Sequence, residues 1–203
     1  MGFIQELLLY SSYFLLLSTV LQSEDAFVFF QQSEFGQDQG EDMPSIGRKL
    51  FIYFIFAMVC YLTLLVTPYV NLPLRKLAMG GTAIILVKYA CELLVYAQHL
   101  VGLLELGAII CDVIGESVFY LVSVRVIQDI CERYGATDQT GRMFGVFSAI
   151  YALSILLGYA ISYGCFRMLP VWTYLIILTS MVVLSGLLCF FAFPMERSTG
   201  PTQ

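Results

Sequence analysis

Charged residues are scarce in this chain of 203 residues. Asp, Glu, Lys and Arg together make up 12% of it, and the acidic residues outnumber the basic ones, which gives a formal net charge of −5. A soluble domain carries about 25% charged residues, so this chain is too apolar to present a water-facing surface. A nucleic-acid-binding protein would need a basic surface instead. The scarcity of charge therefore excludes a soluble enzyme, a disordered chain and a nucleic-acid binder.

The residues that build catalytic and metal sites are also few. His99 is the only histidine, and the six cysteines are scattered singly, with no C-x-x-C pair. A zinc site would place cysteines close to histidines, and haem held by two histidines needs a second one. No Ser/His or Cys/His constellation stands out either. We therefore expect no metal, no cofactor, no catalytic residues and no enzymatic activity, and we interpret the cysteines as small apolar residues.

Apolar residues make up 59% of the chain and recur in runs of membrane-spanning length. A spanning helix needs about 20 such residues, and hydrocarbon offers a backbone N–H no outside partner, so each run must be a helix. Six runs are present, at about residues 3–21, 50–70, 77–97, 100–127, 143–166 and 171–193, separated mainly by polar loops at 22–49 and 128–142. The sequence predicts an all-α, multi-pass integral membrane protein with a single transmembrane domain over residues 1–203, whose surroundings are the lipid bilayer.

The first apolar run has two interpretations, a cleaved signal peptide or a permanent first helix. It lacks a basic region at its start, contains Glu6 and shows no small-residue cleavage site. These features favour an uncleaved helix.

Lysine and arginine in short loops predict the orientation of the helices. With the N-terminus inside, six basic residues fall on the inner side, namely Arg75, Lys76, Arg125, Arg133, Arg142 and Arg197. Three fall on the outer side, namely Arg48, Lys49 and Arg167. The excess predicts that both termini face inside and that the acidic loop at 22–49 faces outward.

Two short segments resemble motifs of the major facilitator superfamily of transporters. In the turn between the second and third runs, Arg75 and Lys76 match the basic end of the family pattern G-x-x-x-D-R-x-G-R-[RK], although its acid and first glycine are missing. Glu132, followed by Arg142 and Gly145, is similar to the family pattern E-x(n)-R-x-x-x-G before helix five, with the glycine one residue early.

The layout of six helices, with a longer outer loop after the first, resembles one half of a facilitator. The resemblance implies a second six-helix half, because such transporters have twelve helices in two pseudo-symmetric halves around a central site. It therefore implies a homodimer or a larger membrane complex. It also makes the inner-side charges candidate gate contacts, namely Arg75, Lys76, Arg125, Glu132 and Arg142.

Ionisable residues inside the apolar runs are candidate functional groups, because charge in hydrocarbon is costly. In the third and fourth runs they are Lys88, Glu92, Glu105, Asp112 and Glu116, with Arg125 near the end of the fourth. The two in the third run are four residues apart, as are Asp112 and Glu116, so each pair shares a helix face. Folding the chain back after the third run brings Lys88 to within a turn of Asp112, and we expect these two to form an ion pair.

These charges have a functional and a structural interpretation. They line a polar or proton pathway, or they form a buried salt-bridge network that fixes how the third and fourth helices pack. Two functions follow. The first is a transporter-like protein that moves a small solute as half of a facilitator-type bundle. The alternative is a non-catalytic membrane subunit or scaffold of a larger assembly.

Overall fold

The computed structural model describes residues 3–38, 51, 54–60, 62, 74–98 and 103–192, and nearly all of them are helical. The helices are α1 (Phe3–Asp38), α2 (54–60), α3 (Leu74–Gln98), α4 (Leu103–Arg133), α5 (Thr140–Met168) and α6 (Val171–Ala192). No strand occurs within these ranges. Five of the helices, α1 and α3 to α6, are long and apolar enough to cross a membrane. This architecture is consistent with the predicted all-α, multi-pass membrane protein. Most of the second predicted span lies outside the described residues.

Helix α1 is longer than the sequence predicts. It continues through Asp38 and has 36 residues, so the prediction of a polar loop beginning at residue 22 is wrong for residues 22–38. This stretch contains no proline and several Gln, Glu and Ala residues, which favour helix. Polar residues favour a loop, but they also continue a helix where partners or solvent satisfy them.

The connection between α4 and α5 is shorter than the predicted loop at 128–142. Helix α4 ends at Arg133 and α5 begins at Thr140, with a single 3₁₀ turn before it. Gly135 has a φ of 63°, the left-handed conformation that glycine adopts without steric cost. The N–H of Ala136 donates to the carbonyl oxygen of Cys131 at 2.8 Å, which caps the end of α4 as in a Schellman motif.

Helix α1 lies at the centre of the described bundle. Every residue from Leu17 to Glu24 is buried, and a helix buried on all sides is a core helix rather than a peripheral one. Helix α1 packs mainly against α5 and α6, while α3 packs against α4 and α6. The two groups, α1 with α5 and α3 with α4, are thus joined through α6.

Glycines allow the closest helix crossings. A Cβ atom on Gly158 of α5 would lie 2.7 Å from the backbone nitrogen of Ser23 in α1. A Cβ atom on Gly115 of α4 would lie 2.6 Å from Cγ1 of Ile85 in α3. Small residues let helices approach closely, and two rows of them, Gly107, Cys111, Gly115 and Ser154, Gly158, Ser162, predict contact faces. The close contacts at Gly115 and Gly158 agree with this prediction, whereas a Cβ atom on Gly107 would meet no other atom within 4 Å.

An aromatic cluster fixes α1 against α4 and α5. The ring of Phe14 stacks on that of Phe119 with the centroids 5.2 Å apart, and it meets the ring of Phe147 edge-on at 5.3 Å. Aromatic pairs in these geometries add stabilisation beyond the area that they bury. The cluster sets the rotation of α1, and with it the direction of the polar residues further along that helix.

Candidate functional site

A buried lysine joins three helices. The ammonium group of Lys88 in α3 forms ion pairs with the carboxylate of Glu24 in α1 and that of Asp112 in α4. The side chain of Lys88 is only 3% exposed, and those of Glu24 and Asp112 are 8% and 13% exposed. The predicted pairing of Lys88 with Asp112 is confirmed. Because a buried charge is costly without a partner, the three groups hold α1, α3 and α4 together.

Two further residues of α3 complete what we call the Lys88 cluster, which consists of Glu24, Lys88, Tyr89, Glu92 and Asp112. The hydroxyl group of Tyr89 donates a hydrogen bond to Oε2 of Glu24 at 2.6 Å. The ammonium nitrogen of Lys88 lies 5.4 Å from the centroid of the Tyr89 ring, within the range of a cation–π contact. The carboxyl group of Glu92 faces that of Glu24 and interacts with Lys88 and Asp112.

The cluster has more acidic than basic groups. One ammonium group, that of Lys88, faces three carboxyl groups, those of Glu24, Glu92 and Asp112. With all of them ionised, the cluster would hold two excess negative charges in a place mostly shielded from water. Like charges at close range repel strongly there. The arrangement is therefore able to take up a proton, because protonation of one acid lowers this repulsion. Among the described residues, no group of three or more His, Cys, Asp and Glu could hold a metal ion.

The cluster lies towards one end of the bundle. Glu24 is the last residue of the apolar stretch Phe3–Glu24, and Glu92 is close to the end of Leu74–Leu94. Asp112 is close to the start of the stretch Gly107–Arg133. The three acids thus come together at the end opposite to the one where α1 begins.

Hydrogen bonds next to Glu24 hold α1 against α5 and α6. The backbone carbonyl of Ser23 accepts hydrogen bonds from the hydroxyl groups of Ser162 at 2.9 Å and Tyr174 at 2.8 Å. The side-chain amide nitrogen Nε2 of Gln22 donates a hydrogen bond to the hydroxyl group of Tyr151 at 3.3 Å. These bonds are buried or partly buried and fix α1 directly before Glu24, so they position its carboxylate for Lys88.

A second charged group lies at the other end of α1. The carboxylate of Glu6 accepts hydrogen bonds from the guanidinium of Arg133 at 2.6 Å and from the hydroxyl group of Tyr134 at 3.0 Å. Arg133 also pairs with Asp129 at 2.7 Å. The bond to the Glu6 carboxylate raises the pKa of the Tyr134 phenol above its ordinary value. These contacts attach the first turns of α1 to the end of α4.

Two further predicted pathway residues, Glu105 and Glu116, lie on the same helix as Asp112. Glu116 lies on α4, half-buried, one turn beyond Asp112. Glu105 is in α4 as well, but its side chain is outside the described part. Folding the chain back after the third run also predicts that Glu105 meets Glu92, and this contact lies outside the described side chains.

The predicted gate residues are spread over the end of the bundle where α1 begins. The guanidinium carbon of Arg75 lies 4.3 Å from the centroid of the Phe190 ring. Arg125 is half-buried, and the rest, Lys76, Glu132 and Arg142, are exposed. Within the described chain, no ion pair joins Glu132 to Arg142, so the structure does not bring these two together.

Sequence reasoning missed Glu24, Tyr89 and the contacts of Glu6. The predicted loop at 22–49 includes Glu24, and no motif in the sequence singles out Tyr89. One signal was present, since Glu24 follows Glu6 by 18 residues, which is five full helical turns. In a continuous helix, the two acids therefore lie on one face of α1, and that periodicity would have extended the helix beyond Leu21.

Comparison with known proteins adds no assignment to this geometry. No protein-family model, no curated protein and no solved structure matches the chain. The resemblance to a facilitator half stays a prediction from the sequence.

Proposed function

We propose that the chain moves a small solute across a membrane as one half of a two-part helical bundle, and that the Lys88 cluster couples this movement to protons. The observation that supports the proposal is the excess of acid around Lys88, where Glu24 and Asp112 pair with the buried ammonium group and a third acid, Glu92, lies close to Glu24. A cluster that only fixed the helices would need no more acid than balances the lysine. Ionisable groups in apolar helices are costly and mark pathways or relays by default.

The geometry supports a simple coupling step. Lys88 on α3 is bound to an acid of α1 on one side and to an acid of α4 on the other. Protonation of Glu24 would weaken the contact with α1, and protonation of Asp112 would weaken the contact with α4. Loss of a proton would restore the contact. In this proposal, proton uptake shifts the stronger ion pair of Lys88 between α1 and α4. Such a change of helix contacts is what alternating exposure of a central site requires.

The test uses Glu92, because it carries the excess charge while Lys88 keeps both of its ion-pair partners. The purified chain and its Glu92→Gln variant are reconstituted into liposomes that contain a pH-sensitive dye. Sugars, amino acids and carboxylates are then added in turn. We expect at least one solute class to cause proton movement with the wild type. Glu92→Gln should abolish this movement without lowering the unfolding temperature.

The matched control is Asp138→Asn, which removes one acid from the exposed turn before α5. This variant should behave as the wild type does. Full proton coupling in Glu92→Gln would contradict the proposed role of the cluster. Light scattering in detergent tests the two-part bundle, which should contain two copies of the 22.8 kDa chain.

The alternative function is a non-catalytic subunit or scaffold. The observation that favours it is that Glu24, Lys88 and Asp112 join three helices, since such a triad also serves as a purely structural connection. A scaffold would tolerate Glu92→Gln in every assay and would be isolated with other membrane proteins in constant ratio. A preparation of two copies alone, with solute-dependent proton movement, would exclude it.

A further inference from the structure

A groove of about 180 Å³ lies on the surface of the α3–α4 pair. Its lining is apolar except at one end, and consists of Lys76, Leu77, Gly80, Gly81, Ile84 and Val118. Lys76 is exposed and lies in the first turn of α3, at the end of the bundle where α1 begins. The groove therefore has a cation at its mouth and apolar walls along its length.

Two neighbouring glycines create the groove. At Gly81 the helices are in close contact, because a Cβ atom there would lie 2.9 Å from Cγ1 of Val118. At Gly80 the space is open, since a Cβ atom there would meet no other atom within 4 Å. The close contact forms the floor of the groove, and the missing side chain at Gly80 leaves it empty.

Basic residues of both helices lie at the level of the mouth. Arg75 precedes Lys76, and Arg125 follows Val118 by seven residues on α4, which is close to two helical turns on the same face. Since α3 and α4 are antiparallel and Gly81 lies beside Val118, the first turn of α3 is level with Arg125. Asp129 is an acid of the next turn of α4, and it is paired with Arg133. Lys76 is the one basic residue among the described residues that line the groove, and it gives the mouth its positive charge.

We propose that this groove binds an anionic phospholipid, with one acyl chain along its apolar walls and the phosphate group at Lys76. From Lys76 to Ile84 the groove extends over about 12 Å at the rise of an α-helix, and one leaflet of the hydrocarbon core is about 15 Å thick. A lysine at that depth extends towards the headgroups, and basic pockets between helices recognise anionic lipids. The site is independent of the proposed transport function.

The test compares two lipids of identical acyl chains, dioleoyl phosphatidylglycerol and dioleoyl phosphatidylcholine, added to the purified full chain and followed by native mass spectrometry. The wild type should bind its first phosphatidylglycerol more tightly than phosphatidylcholine. Lys76→Gln should reduce this preference about five-fold, as expected for one cation near anionic lipid. Gly80→Leu fills the groove and should weaken the binding of both lipids.

The α5 helix offers a matched control pair. Arg142 is exposed and is followed three residues later by Gly145, at which a Cβ atom would also meet open space. Arg142→Gln and Gly145→Leu should leave the first binding event unchanged. Equal binding of the two lipids by the wild type would overturn the proposal. An unchanged preference in Lys76→Gln, or the same loss in the α5 variants, would also overturn it.

Discussion

The ammonium group of Lys88 is the charged group that is buried most deeply in the cluster. It forms two ion pairs where the sequence predicts one, and this changes which residues must be replaced together. With Asp112 as its only partner, removing both residues would leave no charge behind. With Glu24 as a second partner, removing Lys88 and Asp112 leaves a carboxylate facing Glu92. The unit that must be replaced together is therefore a triad on three helices.

We expect Lys88→Met to destabilise the protein by about 3–5 kcal/mol, the cost of breaking a buried ion pair from one side. The double variant Lys88→Met with Asp112→Leu should remain destabilised, because Glu24 keeps its charge. Adding Glu24→Gln should recover part of the loss, since Glu92 is then the one acid of the cluster left without a cation. Thermal unfolding in one detergent, followed by circular dichroism, measures all three variants.

Full recovery in the double variant would show that the pair of Lys88 with Glu24 contributes nothing. The control for the detergent and the method is Asp138→Asn, for which we expect no shift because this side chain is exposed. Surface substitutions of this kind usually change stability by less than about 0.5 kcal/mol.

The phenol of Tyr134 provides a pH-dependent contact at the other end of α1. Its pKa is raised by the hydrogen bond to Glu6, so the contact stabilises the folded state while the phenol keeps its proton. That contribution is complete below the ordinary value of about 10 and is lost as the pH rises through the higher folded-state value.

The difference in unfolding temperature between the wild type and Tyr134→Phe should therefore be constant from neutral pH to about pH 9 and shrink above about pH 10. Thermal unfolding of both proteins at a series of pH values measures it. A difference that grows with pH in this range would contradict the hydrogen bond. Tyr163→Phe, an exposed tyrosine of α5, serves as the matched substitution.

At the scale of the helices, the contact between α1 and α5 depends on a glycine. Gly158 lies against the backbone of Gln22 and Ser23, and a Cβ atom there would be within 2.9 Å of the carbonyl carbon of Gln22. Backbone atoms cannot move aside as the end of a flexible side chain can. Any side chain at this position therefore separates the two helices next to Glu24.

Gly158→Ala should destabilise the protein by about 1–3 kcal/mol, the usual cost of overpacking a core. Gly164→Ala, also on α5, should be neutral or stabilising by up to about 1 kcal/mol, because a Cβ atom there meets open space and alanine favours helix. The unfolding temperatures of the two variants in detergent, each compared with that of the wild type, measure both effects. Equal effects of the two substitutions would show that the helices do not approach at Gly158.

For the whole molecule, the structure gives a direct test of orientation. Helix α1 has 36 residues and is therefore about 54 Å long, which exceeds the hydrocarbon thickness of about 30 Å. Gln139 comes shortly after Tyr134, whose contact with Glu6 places this part of the chain near the first turns of α1. Gln37 lies in the last turn of α1.

A single cysteine at residue 37 and one at residue 139, each in a variant without the native cysteines, should be labelled from opposite sides of a sealed vesicle. A membrane-impermeant maleimide, added before and after permeabilisation, distinguishes the two sides. Labelling of both positions from the same side would contradict a bundle that spans the membrane along α1. The buried position Cys189, kept alone, should stay unlabelled in intact vesicles.

Much of this fold follows from the sequence, and the exceptions have physical causes. Apolar runs predict α3 and α6 to within a few residues, because hydrophobic length alone defines such helices. The end of α1 was predicted wrongly, because a buried Glu24 resembles a loop residue until its partner Lys88 is known. The pair of Lys88 and Asp112 was predictable, since both lie on helices that are neighbours in the chain. The contacts of α1 with them join distant parts of the sequence, which local patterns do not report.

The burial of acids in α1 also has a consequence for how the protein is made. Glu6 and Glu24 are synthesised well before their partners, since Lys88 follows Glu24 by 64 residues and Arg133 follows Glu6 by 127. A nascent chain that ends after α1 thus offers the translocon a helix with acids and no cation to match them. We therefore expect α1 to integrate stably only in chains that extend through α3 and α4, which supply Lys88 and Arg133.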